Sequence, residues 1–131
     1  MDRDTPWDTD RAVLDAAGTL LESALRRQTW LFPLDDEHRA LAAVAIDEMP
    51  VDPDPEDVAR LSRMLGQLVD ETGATAVVVA WERPGGAELR MQEADWVAAL
   101  ASTDAPVRAQ LLVHDEGVRL LDPAFEALVV R

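Results

Sequence analysis

The chain has 131 residues, a length that suits one domain covering residues 1–131. It contains no cysteine, which excludes disulfides, thiolate catalysis and cysteine-ligated metal sites, and its net charge of −14 opposes binding to nucleic acid or to anionic lipid. No apolar run is long enough to span a bilayer, and the acidic N-terminus lacks the basic start of a signal peptide, so we expect a cytoplasmic protein without membrane contact. The charge favours a basic protein partner, or it serves only solubility.

The first predicted element is a helix over residues 8–27. Apolar residues recur in it at helical spacing, and Arg26 and Arg27 would lie in its last turn, where the helix dipole favours positive charge. Its wide apolar face predicts packing on a core or on another subunit. Trp7 and Trp30 flank this helix, and they either pack it onto the domain or form a dimer or partner surface.

Two strands forming a hairpin are predicted next. Residues 29–34 are β-branched and aromatic, and Pro33 favours an edge position because proline cannot donate to a strand ladder. A polar turn at residues 35–38 leads to a strand over residues 39–47. Both faces of this second strand are apolar, which predicts cover on both sides, although residues 40–45 are rich enough in alanine to form a helix instead.

The rest of the chain alternates helices with strands. Asp54 can cap a helix that begins at Pro55 and ends at Gly73. Further along we predict a buried strand at 75–81, a helix at 92–102, a hairpin of strands at 107–114 and 118–121 turning at Gly117, and a tail at 122–131 that suits a short helix or a strand. This order indicates an α/β (α+β) domain with a mixed β-sheet packed with helices, plus an N-terminal helix.

The stretch from Trp81 to Asp95 has the spacing of a zinc-hydrolase motif, His-x-His-Pro-x7-Ser-x-x-Asp. Trp81 and Arg83 stand at the histidine positions and Gln92 at the serine position, so that Pro84 and Asp95 alone match. Tryptophan has no lone pair to offer zinc, and arginine is permanently cationic. One retained ligand cannot hold a catalytic zinc, which needs three protein ligands and an open position for water.

Together with the element order, this spacing makes residues 29–121 resemble the JAB/MPN fold of metal-dependent isopeptidases and their bacterial relatives. The general-base glutamate that the resemblance implies falls near Val44, and Glu48 is the nearest acid. The Arg-Pro-Gly stretch is also similar to that of small actinobacterial proteins, which implies no function. The resemblance therefore implies the fold without the isopeptidase activity, and we expect no catalytic residue, metal or cofactor.

Three interpretations of function follow. In the first, the chain is a non-catalytic, metal-free JAB/MPN-like domain that acts through protein–protein contact or as a homo-oligomer, using the first helix and the acidic surface. In the second, it is a small enzyme or binding protein for an anionic ligand, with a site at Trp81, Arg83 and Asp95. In the third, it is a plain α/β domain unrelated to that family, and the strand carrying Val77 does not lie beside the one carrying Leu41.

Single residues also leave alternatives. Arg83 and Asp95 form an ion pair where the metal would lie, or Asp95 simply caps or solvates a helix start. Trp81 and Trp96 line a small ligand pocket, or they are core or rim aromatics. The histidines do not suggest catalysis: His114 and its acidic neighbours point to opposite faces of a strand end, which indicates a turn residue.

Overall fold

A computed structural model of the chain describes residues 5–130, with side chains described through residue 126. Its elements in chain order are α1 (Asp10–Leu21), β1 (Gln28–Leu34), β2 (Val44–Ile46), α2 (Pro55–Thr72), β3 (Ala76–Glu82), α3 (Met91–Ala101), β4 (Val107–His114), β5 (Gly117–Leu121) and α4 (Pro123–Val130). The predicted order is confirmed, and the tail forms a helix. Among residues 5–130, no helix combines the length and the apolar character needed to cross a bilayer.

The strands form one five-stranded mixed sheet in the order β2-β1-β3-β4-β5. β3 and β4 are parallel and are joined through α3, while the other neighbouring strands are antiparallel. β3 lies in the middle of the sheet with residues 77–80 fully buried, as its continuous apolar run predicts. The predicted mixed α+β class is therefore confirmed.

Helices cover both faces of the sheet. α1 packs on one face, where Phe32 and Val78 belong to its apolar cluster, and α2 and α3 pack on the other face, against Leu31 and Val79. Trp7 is 1% exposed, and its ring centroid lies 5.3 Å from that of Phe32. Of the two roles considered for this tryptophan, packing of the first helix onto the domain is the one observed.

The first helix is shorter than predicted. Thr9 caps α1 by accepting a hydrogen bond from the backbone N–H of Ala12 at 3.0 Å, and the helix ends at Leu21, before Glu22 takes a φ of 54°. Arg26 and Arg27 therefore lie in the connection to β1, and their predicted place in the last helical turn is wrong. Within this connection, the backbone N–H groups of Leu25 and Arg26 donate to the carboxylate of Glu82.

β1 lies inside the sheet, so the predicted edge position is wrong. It pairs with β3 along its whole length and with β2 on its other side. The Pro33 carbonyl accepts a hydrogen bond from the Leu41 N–H at 2.8 Å, so it points towards the β2 side. The proline nitrogen faces that same side, beyond the regular β1–β2 ladder, so the pairing with β3 loses no donor.

β2 forms one edge of the sheet, and β5 forms the other. β2 is shorter than the strand predicted over residues 39–47. Residues 41–45 are exposed, so the predicted cover on both faces is wrong. The pairing also contains a bulge: Leu31 faces Val44 and Leu34 faces Ala40, which is three steps along β1 against four along the neighbouring segment. The hairpin itself is confirmed.

α2 begins and ends at the predicted residues. The Asp54 side chain accepts a hydrogen bond from the backbone N–H of Glu56 at 2.8 Å, and Pro55 takes the first helical position. Gly73 ends the helix with a φ of 78°, a left-handed conformation that favours glycine. The sequence signals at both ends act locally, so they were sufficient to place this helix.

Two glycines of this region should respond oppositely to alanine. Gly73→Ala is expected to lower the free energy of unfolding by about 1–2 kcal/mol, because a β-carbon disfavours the left-handed conformation. Gly66→Ala, inside α2, should raise it by about 0.5–1 kcal/mol. Neither added Cβ meets a heavy atom within 4 Å, so both effects are conformational. Urea denaturation of the two variants measures them, and a shift of the same sign in both would contradict this assignment.

Candidate functional site

A cleft of about 170 Å³ opens at the end of the sheet where the parallel strands β3 and β4 finish. Its apolar lining includes Trp81, Leu89, Val97 and Leu112, and the chain segment that follows β2 closes one side. Ligands of open α/β sheets bind beyond the carboxyl ends of parallel strands. The topology therefore makes this cleft the candidate site.

Trp81 and Trp96 both line the cleft, with their ring centroids 5.7 Å apart and an interplanar angle of 43°. The indole N–H of Trp81 donates to the Gln110 side-chain oxygen at 2.9 Å, and that of Trp96 donates to the Pro50 carbonyl at 3.0 Å. Both polar ends are therefore bonded within the protein. What the two rings offer to the cleft is apolar surface.

Arg83 is 5% exposed and acts as a clamp at one side of the cleft. Its Nε and Nη2 donate to the Glu93 carboxylate at 2.7 and 3.2 Å. Its Nη1 donates to the Gly86 carbonyl at 2.6 Å, and Nη2 also donates to the Glu88 carbonyl at 2.8 Å. The guanidinium therefore holds the turn after β3 against the start of α3.

The carboxylate that pairs with Arg83 is that of Glu93, so of the two alternatives for Asp95 the ion pair with Arg83 is not the one observed. α3 begins at Met91, so Glu93 lies in its first turn, where its side chain also accepts a hydrogen bond from the Arg90 N–H at 2.7 Å. Asp95 follows two residues later, about 200° around the helix. Burial raises the pKa of Glu93, but hydrogen bonds from Arg83 and the Arg90 N–H, with the charges of both arginines, bring it below the usual value.

Glu82 is 4% exposed and anchors the connection between α1 and β1. Its carboxylate accepts hydrogen bonds from the backbone N–H groups of Leu25 and Arg26 at 2.7 and 3.2 Å. It also accepts from the side chains of Gln28 and Trp30, at 2.9 and 2.8 Å. Burial raises the pKa of Glu82, yet these hydrogen bonds together leave it below its usual value.

Glu82 was not among the predicted site residues, although the sequence carries one signal for it. An acidic residue at the end of a continuous apolar strand is buried together with that strand. A buried carboxylate needs hydrogen-bond donors, because burial without them is costly. Nothing in the sequence indicates that those donors lie more than 50 residues earlier.

The predicted site residues do not all meet. Trp81, Arg83 and Gln92 line the cleft, whereas Pro84 and Asp95 are not among its lining residues in the described part of the chain. Pro84 is exposed in the turn that the Arg83 guanidinium holds. Pro84 and Asp95, the two residues that match the zinc-hydrolase motif, are therefore the ones that do not line the cleft.

Charged groups at the rim of the cleft form hydrogen bonds within the protein. Asp47 accepts a hydrogen bond from the Arg26 guanidinium at 2.7 Å, and Arg27 donates to the Pro50 carbonyl at 3.1 Å. With Glu82 and Glu93 also bonded, the acidic groups of the lining have their partners inside the protein. The cleft thus combines an apolar interior with a rim whose carboxylates are already hydrogen-bonded, while Arg90 is the more open cation.

The acidic groups that line the cleft, Asp47, Glu82 and Glu93, are all engaged in hydrogen bonds within the protein. Cysteine, lysine and tyrosine are absent from the chain, and no histidine or serine lines the cleft within the described residues. Thr29 provides a hydroxyl, but it is buried at 2% exposure. Within the part of the chain with described side chains, no three histidine or acidic residues gather closely enough to hold a metal ion.

One histidine lies in a turn, and the other is the last residue of a strand. His38 follows β1 with a φ of 63°, and its N–H donates to the Asp35 carbonyl at 3.0 Å. The Nδ1 atom of His114 accepts a hydrogen bond from the Glu116 N–H at 3.3 Å, at the turn between β4 and β5. The predicted turn position is confirmed for His38, whereas His114 is the last residue of β4, directly before the turn.

No protein-family model matches the chain, and a search of the curated proteins finds no similar sequence. The sheet order places β3, which carries Val77, between β1 and β4, and Leu41 lies outside β2. The resemblance to the JAB/MPN fold stays a prediction. The argument for function therefore rests on the cleft.

Proposed function

We propose that the chain is a non-catalytic binding domain, which holds an apolar side chain of a protein partner between Trp81 and Trp96. The observation that supports this proposal is the internal pairing of the polar groups around the cleft. Binding there gains free energy by removing apolar surface from water, and full burial of a leucine, methionine or phenylalanine side chain contributes about 1.5–3 kcal/mol.

The size of the cleft favours one side chain over a larger metabolite. Pockets for drug-sized ligands usually measure about 300–1,000 Å³, and the volume here is about 170 Å³. A polar metabolite would lose its hydrogen bonds to water and find few free partners in return. Because a single anchor binds weakly, a stable complex would need further contacts around the rim, as interfaces with a central pocket have.

An anionic ligand is a weaker candidate because Arg83 is already engaged. Its Nε, Nη1 and Nη2 atoms all donate to Glu93 or to carbonyls of the following turn. A carboxylate or phosphate would have to displace Glu93 before it could bind this guanidinium. Exposed Arg90, whose contact to Glu93 measures 3.9 Å, is the cation that remains more open at the rim.

Nuclear magnetic resonance with capped amino acids tests the proposal. We expect N-acetyl-leucine amide and N-acetyl-phenylalanine amide, at millimolar concentration, to shift the indole N–H signals of Trp81 and Trp96. N-acetyl-serine amide should leave those signals unchanged. Equal shifts from the serine and leucine compounds would overturn the apolar assignment. Markedly tighter binding of N-acetyl-phenylalanine with a free carboxylate would support the anionic-ligand alternative instead.

A pair of methionine variants gives the matched control. Met49 lines the cleft, whereas Met64 lies on an exposed part of α2. Met49→Glu should weaken the binding of the apolar amides about ten-fold, because it places a charge beside an apolar ligand. Met64→Glu adds the same charge and should leave binding unchanged. If both variants bind equally well, the cleft is not the binding site.

A further inference from the structure

The outer edge of the sheet leaves an unusual apolar run uncovered. Residues 41–45 are all apolar and all exposed, with Leu41 at 44% and Val44 at 36% exposure. Edge strands present unpaired backbone N–H and C=O groups, and most proteins protect them with charges or prolines. A run of exposed apolar residues at such an edge is expected only where it has a function.

The apolar surface continues from this edge towards α1. A groove of about 320 Å³ lies there, lined by Trp7, Leu20, Phe32 and residues 40–43. Leu20 is 48% exposed although it belongs to the helix that covers this face of the sheet. The edge and the groove together form one apolar surface, which we call the edge groove.

The edge groove is separate from the cleft between the tryptophans. Phe32 and Trp7 belong to the cluster on the α1 face of the sheet, while Trp81 packs on the opposite face with α2 and α3. An occupant of the edge groove therefore does not compete for the Trp81 cleft. The two sites are testable independently.

Acidic residues stand at both ends of the exposed run. Asp36 and Glu37 precede it, and Asp47 and Glu48 follow it, all of them exposed. Glu37 pairs with Arg39 and Asp47 with Arg26, while Asp36 and Glu48 have no ion-pair partner within the described residues. Two free negative charges thus flank an apolar run in a chain of net charge −14.

This charge pattern decides which partner fits. A second copy of the chain would bring acidic flanks against an equally acidic molecule, and like charges in register across a strand pair destabilise it. A segment with lysine or arginine on both sides of an apolar centre would meet opposite charge at both ends. Strand addition would also give backbone partners to the open edge beside residues 44–46.

We propose that the edge groove binds an extended apolar segment of a basic protein, which adds a strand outside β2. Its apolar side chains cover residues 41–45, and its flanking cations lie near Asp36 and Glu48. The bulge at residues 41–43 limits regular backbone pairing to β2 itself. Side-chain burial in the groove therefore supplements the short ladder.

Synthetic peptides test this interaction. The probe is a capped peptide with an alternating valine and alanine centre and lysines at both ends, and its counterpart carries glutamates in place of the lysines. Fluorescence anisotropy at low salt should show binding of the lysine peptide only, and binding should weaken as salt is added. In the complex, hydrogen exchange should slow for backbone amides of residues 41–46. Equal binding of both peptides, or slowed exchange confined to other segments, would overturn the proposal.

Charge reversal supplies the control. Asp36→Lys with Glu48→Lys should weaken binding of the lysine peptide at least about ten-fold and confer binding of the glutamate peptide. Asp70→Lys with Glu71→Lys makes the same change in net charge at exposed positions near the end of α2 and should have little effect. Similar losses in both double variants would show non-specific attraction. A concentration-dependent dimer of the wild-type chain, abolished by Leu41→Glu, would assign the edge groove to self-association and overturn the proposal.

Discussion

Glu82→Ala is expected to lower the free energy of unfolding by about 3–4 kcal/mol. The buried carboxylate accepts four hydrogen bonds, from two backbone N–H groups and from the side chains of Gln28 and Trp30. A buried donor left without an acceptor costs about 1–3 kcal/mol. Chemical denaturation followed by fluorescence measures the loss.

Two further variants define the role of this carboxylate. Glu82→Gln keeps one acceptor oxygen but turns an N–H group towards donors, so a loss of about 2 kcal/mol is expected. Glu71→Gln removes an exposed carboxylate at the end of α2 and should change stability by less than about 0.5 kcal/mol. Near-equal effects at positions 71 and 82 would mean that the hydrogen bonds of Glu82 contribute nothing specific.

The contribution of Glu82 should disappear in acid. Its pKa in the folded protein lies below the ordinary value of 4.5, so between these two pKa values the unfolded state binds more protons. The stabilisation is therefore complete above that ordinary value and is lost as pH falls through it towards the folded-state pKa. The difference between wild type and Glu82→Gln should be largest near neutral pH and shrink in acid. A difference that stays constant with pH would contradict the shift.

Arg83→Met is the second substitution with a large expected effect, a loss of about 2–4 kcal/mol. Methionine keeps an unbranched side chain of similar length. It lacks the guanidinium that donates hydrogen bonds to Glu93 and to the carbonyls of Gly86 and Glu88. Removing one partner of a mostly buried ion pair leaves the other charge uncompensated. Thermal and urea denaturation measure the loss, and an unchanged stability would mean that Arg83 is no structural clamp.

A double-mutant cycle separates the ion pair from other consequences of the change. Arg83→Met and Glu93→Gln combined should cost less than the sum of the single variants, with a coupling of about 1–3 kcal/mol. Arg60 provides the contrast, because its contact with Asp57 is solvent-exposed. Arg60→Met should change stability by less than about 0.5 kcal/mol. Arg83→Lys should restore little, since an ammonium group cannot reproduce the fork to Glu93.

Features written in local sequence were predictable. The cap at Asp54, the proline after it and the glycine at position 73 act within a few residues, and they placed both ends of α2. The uninterrupted valines of residues 77–79 predicted the central strand, because a strand covered on both faces needs no polar alternation. These signals depend on residues that are close in the chain, so they can be recognised in the sequence before the fold is known.

Features that depend on distant contacts were not predictable in the same way. α1 stops at Leu21, and Glu82 then binds the backbone at Leu25 and Arg26. The helical periodicity through residue 27 gives no indication of that distant carboxylate. One of the two alternatives for Asp95, an ion pair with Arg83, rested on a motif spacing, whereas Arg83 pairs with Glu93 in the first turn of α3. For residues 41–45, apolar composition indicated burial, but composition does not reveal whether the cover comes from the same chain.

The end of β3 sends consecutive side chains to opposite sides of the sheet, and this alternation makes the segment sensitive to length. Trp81 and Arg83 lie on the side of α3, and Glu82 between them reaches the connection before β1. Inserting or deleting one residue here would exchange their sides, placing an indole among the donors of that connection and a carboxylate in the apolar cleft. A point substitution at this end of the strand removes the contacts of one side chain. A one-residue insertion or deletion would disrupt both the cleft and the connection that Glu82 anchors.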